Sequence, residues 1–229
     1  ASYAHVLCTT SSDEDQIAAS MLPVFDSDHA SVVFTNNVSD DITYTAAAGT
    51  FTFARAGTYH VVLTLVTSQV DAADGLHTTE LKIDSDVVYA GLIQVGEDEE
   101  PYESTHQRII SVAAGEVLSV NTKTSAQTAG IVKGTSIIIT EVTSGVFASS
   151  TVSTAGTNDT VAVFNPYDTS FSGTGDGPAY ATAYKIASGV TFAPTAGSMT
   201  VPSAGKYLIM VTNVFYAGGG TNTAITMKL

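Results

Sequence analysis

Runs of consecutive acidic residues are the feature of this sequence with the most obvious chemical potential. There are two: Glu97, Asp98, Glu99 and Glu100, and Asp13, Glu14 and Asp15. Carboxylate oxygens are the ligands that Ca²⁺ prefers, but neither run has the spacing of a calcium-binding loop. Because consecutive side chains project in different directions, we interpret both runs as solvated loops and keep the first as a calcium candidate.

Other residues that support catalysis or metal binding are present without the necessary spacing. The five histidines show no metal-ligand pattern, and the only cysteine, Cys8, excludes an intrachain disulfide. No nucleophile elbow, pair of catalytic carboxylates or Ser-His-Asp ordering stands out. The sequence therefore predicts a protein that is not an enzyme and binds no cofactor. A glycan-active β-sandwich enzyme is the least favoured alternative.

The charge of the chain restricts its partners. Eight Lys and Arg residues face 22 Asp and Glu residues, a net charge of −14. Such a field repels nucleic-acid phosphates and anionic lipid headgroups, so we expect binding to neither. No apolar run approaches the length of a membrane-spanning helix. Residues 1–143 hold 19 acids and five bases, whereas residues 144–229 hold three of each and are neutral.

An internal repeat organises the chain. A segment of alternating apolar residues recurs at an offset of 148, marked by Gly49, Gly57 and Tyr59 in the first copy and by Gly197, Gly205 and Tyr207 in the second. We predict a first domain at 1–143, a linker at 144–153 and a second copy at 154–229. Since Leu229 aligns with Leu81, we expect the second copy to be the first half of a domain, completed by further chain or by a partner.

Short β-strands separated by turn residues account for the pattern of the first copy. Val, Ile, Thr, Tyr and Phe alternate with polar residues, and no stretch carries a helical stripe. The predicted strands cover residues 3–9, 22–25, 31–36, 42–45, 50–54, 57–68, 76–84, 87–95, 105–112, 116–124 and 131–142. An all-β protein is therefore expected.

Several predicted strands are apolar on both faces. In the longest, Tyr59, Val61, Leu63 and Leu65 lie on the core face, and Val62 and Val66 lie on the other. The segments around Ile109, Ile138 and Val142 have the same character. In a chain without helices, the second apolar face is most simply covered by another subunit. We therefore predict an oligomer.

The order of the motifs resembles the jelly rolls of tumour necrosis factor-like ligands and complement globular heads. The residues that carry the resemblance are Val33-Phe34-Thr35-Asn36, Tyr44 through Phe53, Ala56-Gly57-Thr58-Tyr59, Leu81-Lys82-Ile83-Asp84, Gly115 through Val120 and Gly134 through Glu141. The resemblance implies an antiparallel jelly-roll β-sandwich, one complete domain followed by the first half of a second. It also implies a homotrimer assembled through the faces of the inner sheets.

Fold alone does not specify function, so the functional expectation rests on composition and analogy. Jelly rolls build viral capsids, decorations and fibres. The expected function is a virion structural protein, a bacteriophage capsid decoration or fibre subunit at the virion surface. It would contact copies of itself and other capsid or fibre proteins. The alternative is a secreted or cell-surface adhesive or receptor-binding module, which would be extracellular.

Overall fold

A computed structural model provides the structure of the chain. It describes residues 1–10, 21–28, 32–69, 75–95, 101–124, 129–143, 147–149, 152–154, 179–180, 186–193 and 198–205. These residues form β-strands and turns, with one short 3₁₀ turn at Ala46–Ala48. None of the described helical segments is long and apolar enough to cross a membrane. The expectation of an all-β fold is confirmed.

Two six-stranded antiparallel sheets pack into a sandwich. The first sheet contains β1 (Tyr3–Thr10), β3 (Val33–Val38), β6 (Gly57–Gln69), β9 (Tyr102–Val112), β11 (Ala129–Ile131) and β12 (Ser136–Glu141). The second contains β2 (Leu22–Pro23), β4 (Ile42–Thr45), β5 (Thr50–Phe53), β7 (Gly75–Ile83), β8 (Asp86–Val95) and β10 (Val117–Thr124). These strands lie within a few residues of the predicted ones.

The order of the strands is that of a jelly roll. The first sheet runs β3-β1-β12-β6, with β9 on the other side of β6, and the second runs β4-β5-β10-β7-β8. The chain passes repeatedly from one sheet to the other, so neighbouring strands are seldom consecutive in sequence. Antiparallel pairing throughout and alternation between two sheets define the predicted jelly-roll β-sandwich.

The core consists of the side chains that alternate inward from both sheets. Its largest members are fully buried: Phe25, Ile42, Phe51, Phe53, Tyr59, Leu63, Leu65, Leu81, Ile110, Leu118 and Ile131. The Phe53 and Tyr59 rings lie 4.6 Å apart between centroids, and Tyr44 stacks on Phe51 at 5.1 Å. Such aromatic pairs add about 0.5–1.5 kcal/mol beyond their area burial.

A left-handed glycine closes the turn between β4 and β5. Gly49 has a φ of 62°, and a Cβ atom there would lie 2.7 Å from the backbone nitrogen of Asp26. Only glycine satisfies both requirements without moving the backbone. Cys8, interpreted from its sequence position as a buried strand residue, is indeed fully buried on β1.

The strand predicted at 131–142 is interrupted, which corrects the sequence-based boundary. β11 and β12 lie on the same side of β6, but their registers differ by two residues, and the chain turns at Gly134 with a φ of 103°. The hydroxyl of Thr135 accepts a hydrogen bond from the Val66 amide and donates one to the Val66 carbonyl, each at 2.9 Å. The Val66 carbonyl also accepts a hydrogen bond from the Val132 amide at 2.9 Å, so the Thr135 side chain and one backbone bond together bridge the interruption.

Six short strands are found among the described residues after 143. They are β13 (Phe147–Ser149), β14 (Val152–Thr154), β15 (Ala179–Tyr180), β16 (Ile186–Ser188), β17 (Thr191–Ala193) and β18 (Ser198–Thr200). They pair as β13 with β16, β14 with β15 and β17 with β18. The strand β13 and the first two residues of β14 lie inside the predicted linker 144–153.

One of these pairs has the same register as a pair in the first domain. In the hairpin β17–β18, Thr191 pairs with Thr200 and Ala193 with Ser198. In β4–β5, Thr43 pairs with Thr52 and Thr45 with Thr50, so each pair recurs at the offset of 148. The tandem organisation and the boundaries at 143 and 154 stay predictions.

Candidate functional site

The outer face of the first sheet is the site that the sequence predicted for contact between subunits. Its central row crosses the sheet in register as Asn37, His5, Ile138, Val62 and Gln107. Alternation along each strand turns these side chains away from the core, which holds Ala4, Val6, Ile137 and Ile139 instead. Predicted residues Val62 and Ile138 are therefore direct neighbours.

Two further rows flank this one. One contains Tyr3, Thr140, His60 and Ile109, and the other contains Thr35, Leu7, Ser136, Thr64 and Thr105. None of the side chains in the three rows is an acid, a lysine or an arginine. In a chain of net charge −14, a continuous face without acids, lysines or arginines marks a surface suited to burial against protein.

The apolar side chains of this face are partly open to solvent. Val33 is 51% exposed, Tyr3 42% and Ile138 41%, whereas Val62 and Ile109 are half-buried. Hydroxyl and amide groups lie between them, and the Tyr3 hydroxyl donates to Asn37 Oδ1 at 3.1 Å. The face is mixed because Ser136, Thr140 and Gln107 separate its apolar groups, although the sequence suggested strands apolar on both sides.

The other predicted interface residues lie away from the centre of this face. Val66 is only 9% exposed and packs beside the turn at Gly134, whereas Val142 lies just past the end of β12. Tyr59 belongs to the core, on the face opposite to Val62. Gly57 begins β6, and Gly205 is an exposed residue after β18. Gly197 and Tyr207 fall outside the described residues.

Two polar atoms of the outer face are shielded from solvent without a hydrogen-bond partner in the described part of the chain. They are Nε2 of His60 and Oε1 of Gln107, on adjacent strands β6 and β9. Buried polar atoms are usually paired, and an unpaired one costs about 1–3 kcal/mol. This half of the face is therefore where a further group is needed.

The interior of the sandwich contains a polar region that the sequence did not reveal. Along β7 and β10, the inward pairs Ile83–Leu118 and Leu81–Val120 give way to Thr79–Thr122 and His77–Thr124. The buried polar side chains at this end are Thr67, His77, Thr79, His106, Arg108, Thr122 and Thr124. The only signal in the sequence was that the polar residues His77 and Thr79 lie on the same face of β7 as the apolar Leu81.

Both buried histidines in this region are neutral at physiological pH. Burial lowers the pKa of His77 to about 4, and its Nδ1 is hydrogen-bonded to the Thr67 hydroxyl at 3.0 Å. Burial also lowers the pKa of His106 to about 4. His106 Nδ1 is hydrogen-bonded to the Tyr89 hydroxyl, and burial raises the pKa of Tyr89 to about 12. The region therefore holds neutral hydrogen-bonding groups.

A serine lies next to one of these imidazoles. Ser104 Oγ is 3.1 Å from His106 Nε2, the separation expected of a nucleophile and its general base. The third group is the Tyr89 phenol instead of a carboxylate, and an imidazole with a pKa of about 4 is a weak base. This arrangement favours a structural hydrogen-bonded chain that joins the edge strands β8 and β9.

A charged cluster lies at the opposite end of the sandwich. Arg55 Nη2 lies 2.7 Å from Glu141 Oε2 and 3.3 Å from Asp41 Oδ2, and it donates to Ser2 Oγ at 2.8 Å. The Ser2 amide donates to Glu141 at 2.9 Å. Backbone hydrogen bonding and the guanidinium hold the pKa of Glu141 below its usual value. The cluster fixes the first residues of the chain to the end of β12.

Metal binding has no support from the described residues, where no group of three or more His, Cys, Asp or Glu side chains comes together. The calcium candidates Glu97, Asp98, Glu99 and Glu100 lie outside the described residues, as do Asp13, Glu14 and Asp15.

Several solved structures are similar to part of this chain. The chain is similar to Eiger TNF from S. frugiperda, with a TM-score of 0.40 and 13% identity over 62% of this chain and 93% of that chain. It is similar to murine APRIL, with a TM-score of 0.40 and 9% identity over 62% and 98%. The globular domain of zebrafish complement 1qA has a TM-score of 0.39 and 11% identity over 61% and 96%. No family model and no curated protein matches the sequence.

Proposed function

We propose that this chain is a structural protein of a virus particle, a bacteriophage capsid decoration or fibre subunit that associates with copies of itself through the outer face of the first sheet. The observation that carries the proposal is the face around Ile138, His5 and Val62, which contains no acid, lysine or arginine, on a molecule of net charge −14. The predicted assembly is a homotrimer at the virion surface, where it stabilises the particle or contacts the host.

Physical chemistry favours burial of this face against a second copy. Ile138 and Tyr3 place apolar surface in water, and apolar burial contributes roughly 25 cal/mol per Å². No carboxylates in the three rows oppose one another when two faces approach. The acidic residues on the remaining surface repel other particles and keep them soluble.

The chemistry of the described residues supports a structural role instead of catalysis. The histidines in the sandwich have lowered pKa values and are committed to hydrogen bonds with Thr67, Tyr89 and Ser104. We further propose that the neutral segment 144–229 contacts other capsid or fibre proteins, because it lacks the charge that would repel them. Nucleic acid and membranes are not expected partners.

A secreted or cell-surface adhesive module is the second candidate, and one observation favours it. Asn37-Val38-Ser39 is a glycosylation sequon, and Asn37 is exposed on the outer face. A glycan at this position would cover part of the row that contains His5 and Ile138. A glycosylated Asn37 would therefore favour an extracellular module and disfavour association through the outer face.

The decisive experiment is fractionation of the native source material by density, with mass spectrometry to detect this chain. We expect it to travel with nucleic-acid-containing particles. Recovery only in soluble or cell-envelope fractions would contradict the virion proposal and favour the extracellular module. Peptide mapping of Asn37 in the same samples would report whether a glycan is present.

A further inference from the structure

The two halves of the outer face differ in their accessibility. On the half formed by β3, β1 and β12, Val33, Tyr3 and Ile138 are the most exposed large apolar side chains of the described first domain. On the half formed by β6 and β9, one polar atom each of His60 and Gln107 is shielded from solvent and lacks a described partner. On β9, Gln107 and Ile109 are half-buried, whereas the outward residue Thr105 is exposed.

A short ribbon from the beginning of the second repeat lies at this half. β13 pairs with β16, joining Phe147 with Ser188 and Ser149 with Ile186, and both strands lie against β9. Their sequences, Phe-Ala-Ser and Ile-Ala-Ser, contain no ionisable side chain. An uncharged ribbon suits the part of β9 on which Thr105, Gln107 and Ile109 point outward, since none of these three side chains is charged.

The connection between the domains is long enough to make this contact within one chain. β12 ends at Glu141 beside β6, and β9 lies on the other side of β6. Passing from β12 to β9 requires two strand spacings, roughly 10 Å. The five residues 142–146 span up to about 17 Å when extended. The Val142 amide donates to the Thr58 carbonyl at 2.8 Å, which extends the pairing of β12 with β6 by one residue.

The register of β17–β18 indicates that the ribbon is followed by a domain-like unit instead of a tail. Its pairs Thr191–Thr200 and Phe192–Met199 match Thr43–Thr52 and Tyr44–Phe51 at the offset of 148. In the first domain that hairpin is an integral part of the second sheet. A rigid contact at the ribbon would therefore fix the orientation of the second repeat.

We propose that the outer face is divided between two partners: the β13–β16 ribbon of the same chain occupies the β6–β9 half, and another copy occupies the β3–β1–β12 half. The second part of this inference rests on the proposed function, whereas the first does not. The neutral charge of residues 144–229 allows close approach to the acidic first domain.

Cysteine pairs in the full chain test the contact. Ala148→Cys is combined in turn with Thr105→Cys, Gln107→Cys and Ile109→Cys, three of the outward positions of β9. Cys8 is fully buried and stays unreactive. Under mild oxidation, we expect at least one pair to form an intramolecular disulfide in most molecules, detected by intact mass and by mobility on a non-reducing gel. The matched control is Ala148→Cys with Thr43→Cys, an exposed position on the opposite sheet, and it should form none.

Two outcomes would overturn the inference. If no pair forms a disulfide, the ribbon does not occupy β9. If disulfides appear only as linked dimers, the ribbon docks on another chain. Failure of the proposed self-association is seen separately, as a monomer in sedimentation velocity at neutral pH, and it would leave the intramolecular disulfide unaffected.

Discussion

The hydroxyl of Thr135 lies 2.9 Å from both the amide nitrogen and the carbonyl oxygen of Val66, at the point where the strand opposite β6 is interrupted. One side chain thus satisfies two backbone groups in a fully buried environment. These two hydrogen bonds stabilise the first sheet at the interruption between β11 and β12.

Removal of this hydroxyl is expected to destabilise the first domain. Thr135→Val keeps the shape of the side chain but leaves the Val66 amide unpaired, while the Val66 carbonyl keeps the bond from the Val132 amide. We expect the free energy of unfolding to fall by about 1–3 kcal/mol. Thr135→Ser keeps the hydroxyl and should lose much less. Urea denaturation of the three proteins measures the difference, and equal losses for Val and Ser would show that the hydrogen bonds contribute nothing.

Acid should destabilise the protein through its buried histidines. The pKa values of His77 and His106 are lowered from 6.5 to about 4 in the folded state, so only the unfolded chain binds protons between these values. Stability is therefore complete above pH 6.5 and falls as the pH decreases to 4, by an amount on the order of 3 kcal/mol for each histidine. Urea denaturation at several pH values checks this.

The variant His106→Gln isolates the contribution of one histidine to the pH dependence of stability. The variant loses stability at pH 7.5 because the hydrogen bonds to Tyr89 and Ser104 change. Its stability should nevertheless decrease less steeply between pH 6.5 and 4 than that of the wild type. A slope identical to that of the wild type would mean that His106 is protonated equally well in the folded and unfolded states.

Glu141 should influence stability in a lower pH range. Its pKa is held below its ordinary value of 4.5 by the Ser2 amide and Arg55, so its contribution is present above pH 4.5 and is lost as the pH falls through the lowered pKa. Glu141→Gln should lower the melting temperature at pH 7 and flatten its decline below pH 4.5. Asp28→Gln, at an exposed acidic position outside the cluster, is the control and should change neither. An unaltered acid profile in Glu141→Gln would contradict the assignment.

Because Gly91 has no side chain, the Tyr89 hydroxyl has room to bind His106 Nδ1 beside it. A Cβ atom at this position would lie 2.5 Å from the Tyr89 hydroxyl and 3.1 Å from His106 Cε1. We expect Gly91→Ala to cost about 1–3 kcal/mol, as overpacked positions typically do. Tyr89→Phe removes the closest atom, so the double variant should be less destabilised than the sum of the two single ones. Strict additivity in urea denaturation would rule out the steric explanation.

The strands of the first domain were predictable because apolar and polar residues alternate along most of them. Tyr59, Val61 and Leu63 lie inward, as their spacing predicts. The interruption at Gly134 was not predictable, since Ile137, Ile138 and Ile139 suggest one continuous strand and the bonds of Thr135 to Val66 arise only in the folded sheet.

The candidate site was predictable only in part. Val62 and Ile138 were identified as outward apolar residues, but their juxtaposition depends on the register of β6 with β12. The polar interior was missed because the run from Thr105 to Val112 mixes polar and apolar residues. Only pairing with Leu63 and Val61 places His106 and Arg108 inside the sandwich.

Sedimentation velocity at neutral pH, comparing the wild type with Ile138→Asp, tests the central claim most directly. Thr43→Asp, at an exposed position of the opposite sheet, is the matched control. We expect the wild type and the control to sediment as a trimer and Ile138→Asp as a folded monomer, because a carboxylate on this face must be desolvated for association. A monomeric wild type, or an Ile138→Asp variant that remains a trimer, would contradict association through this face.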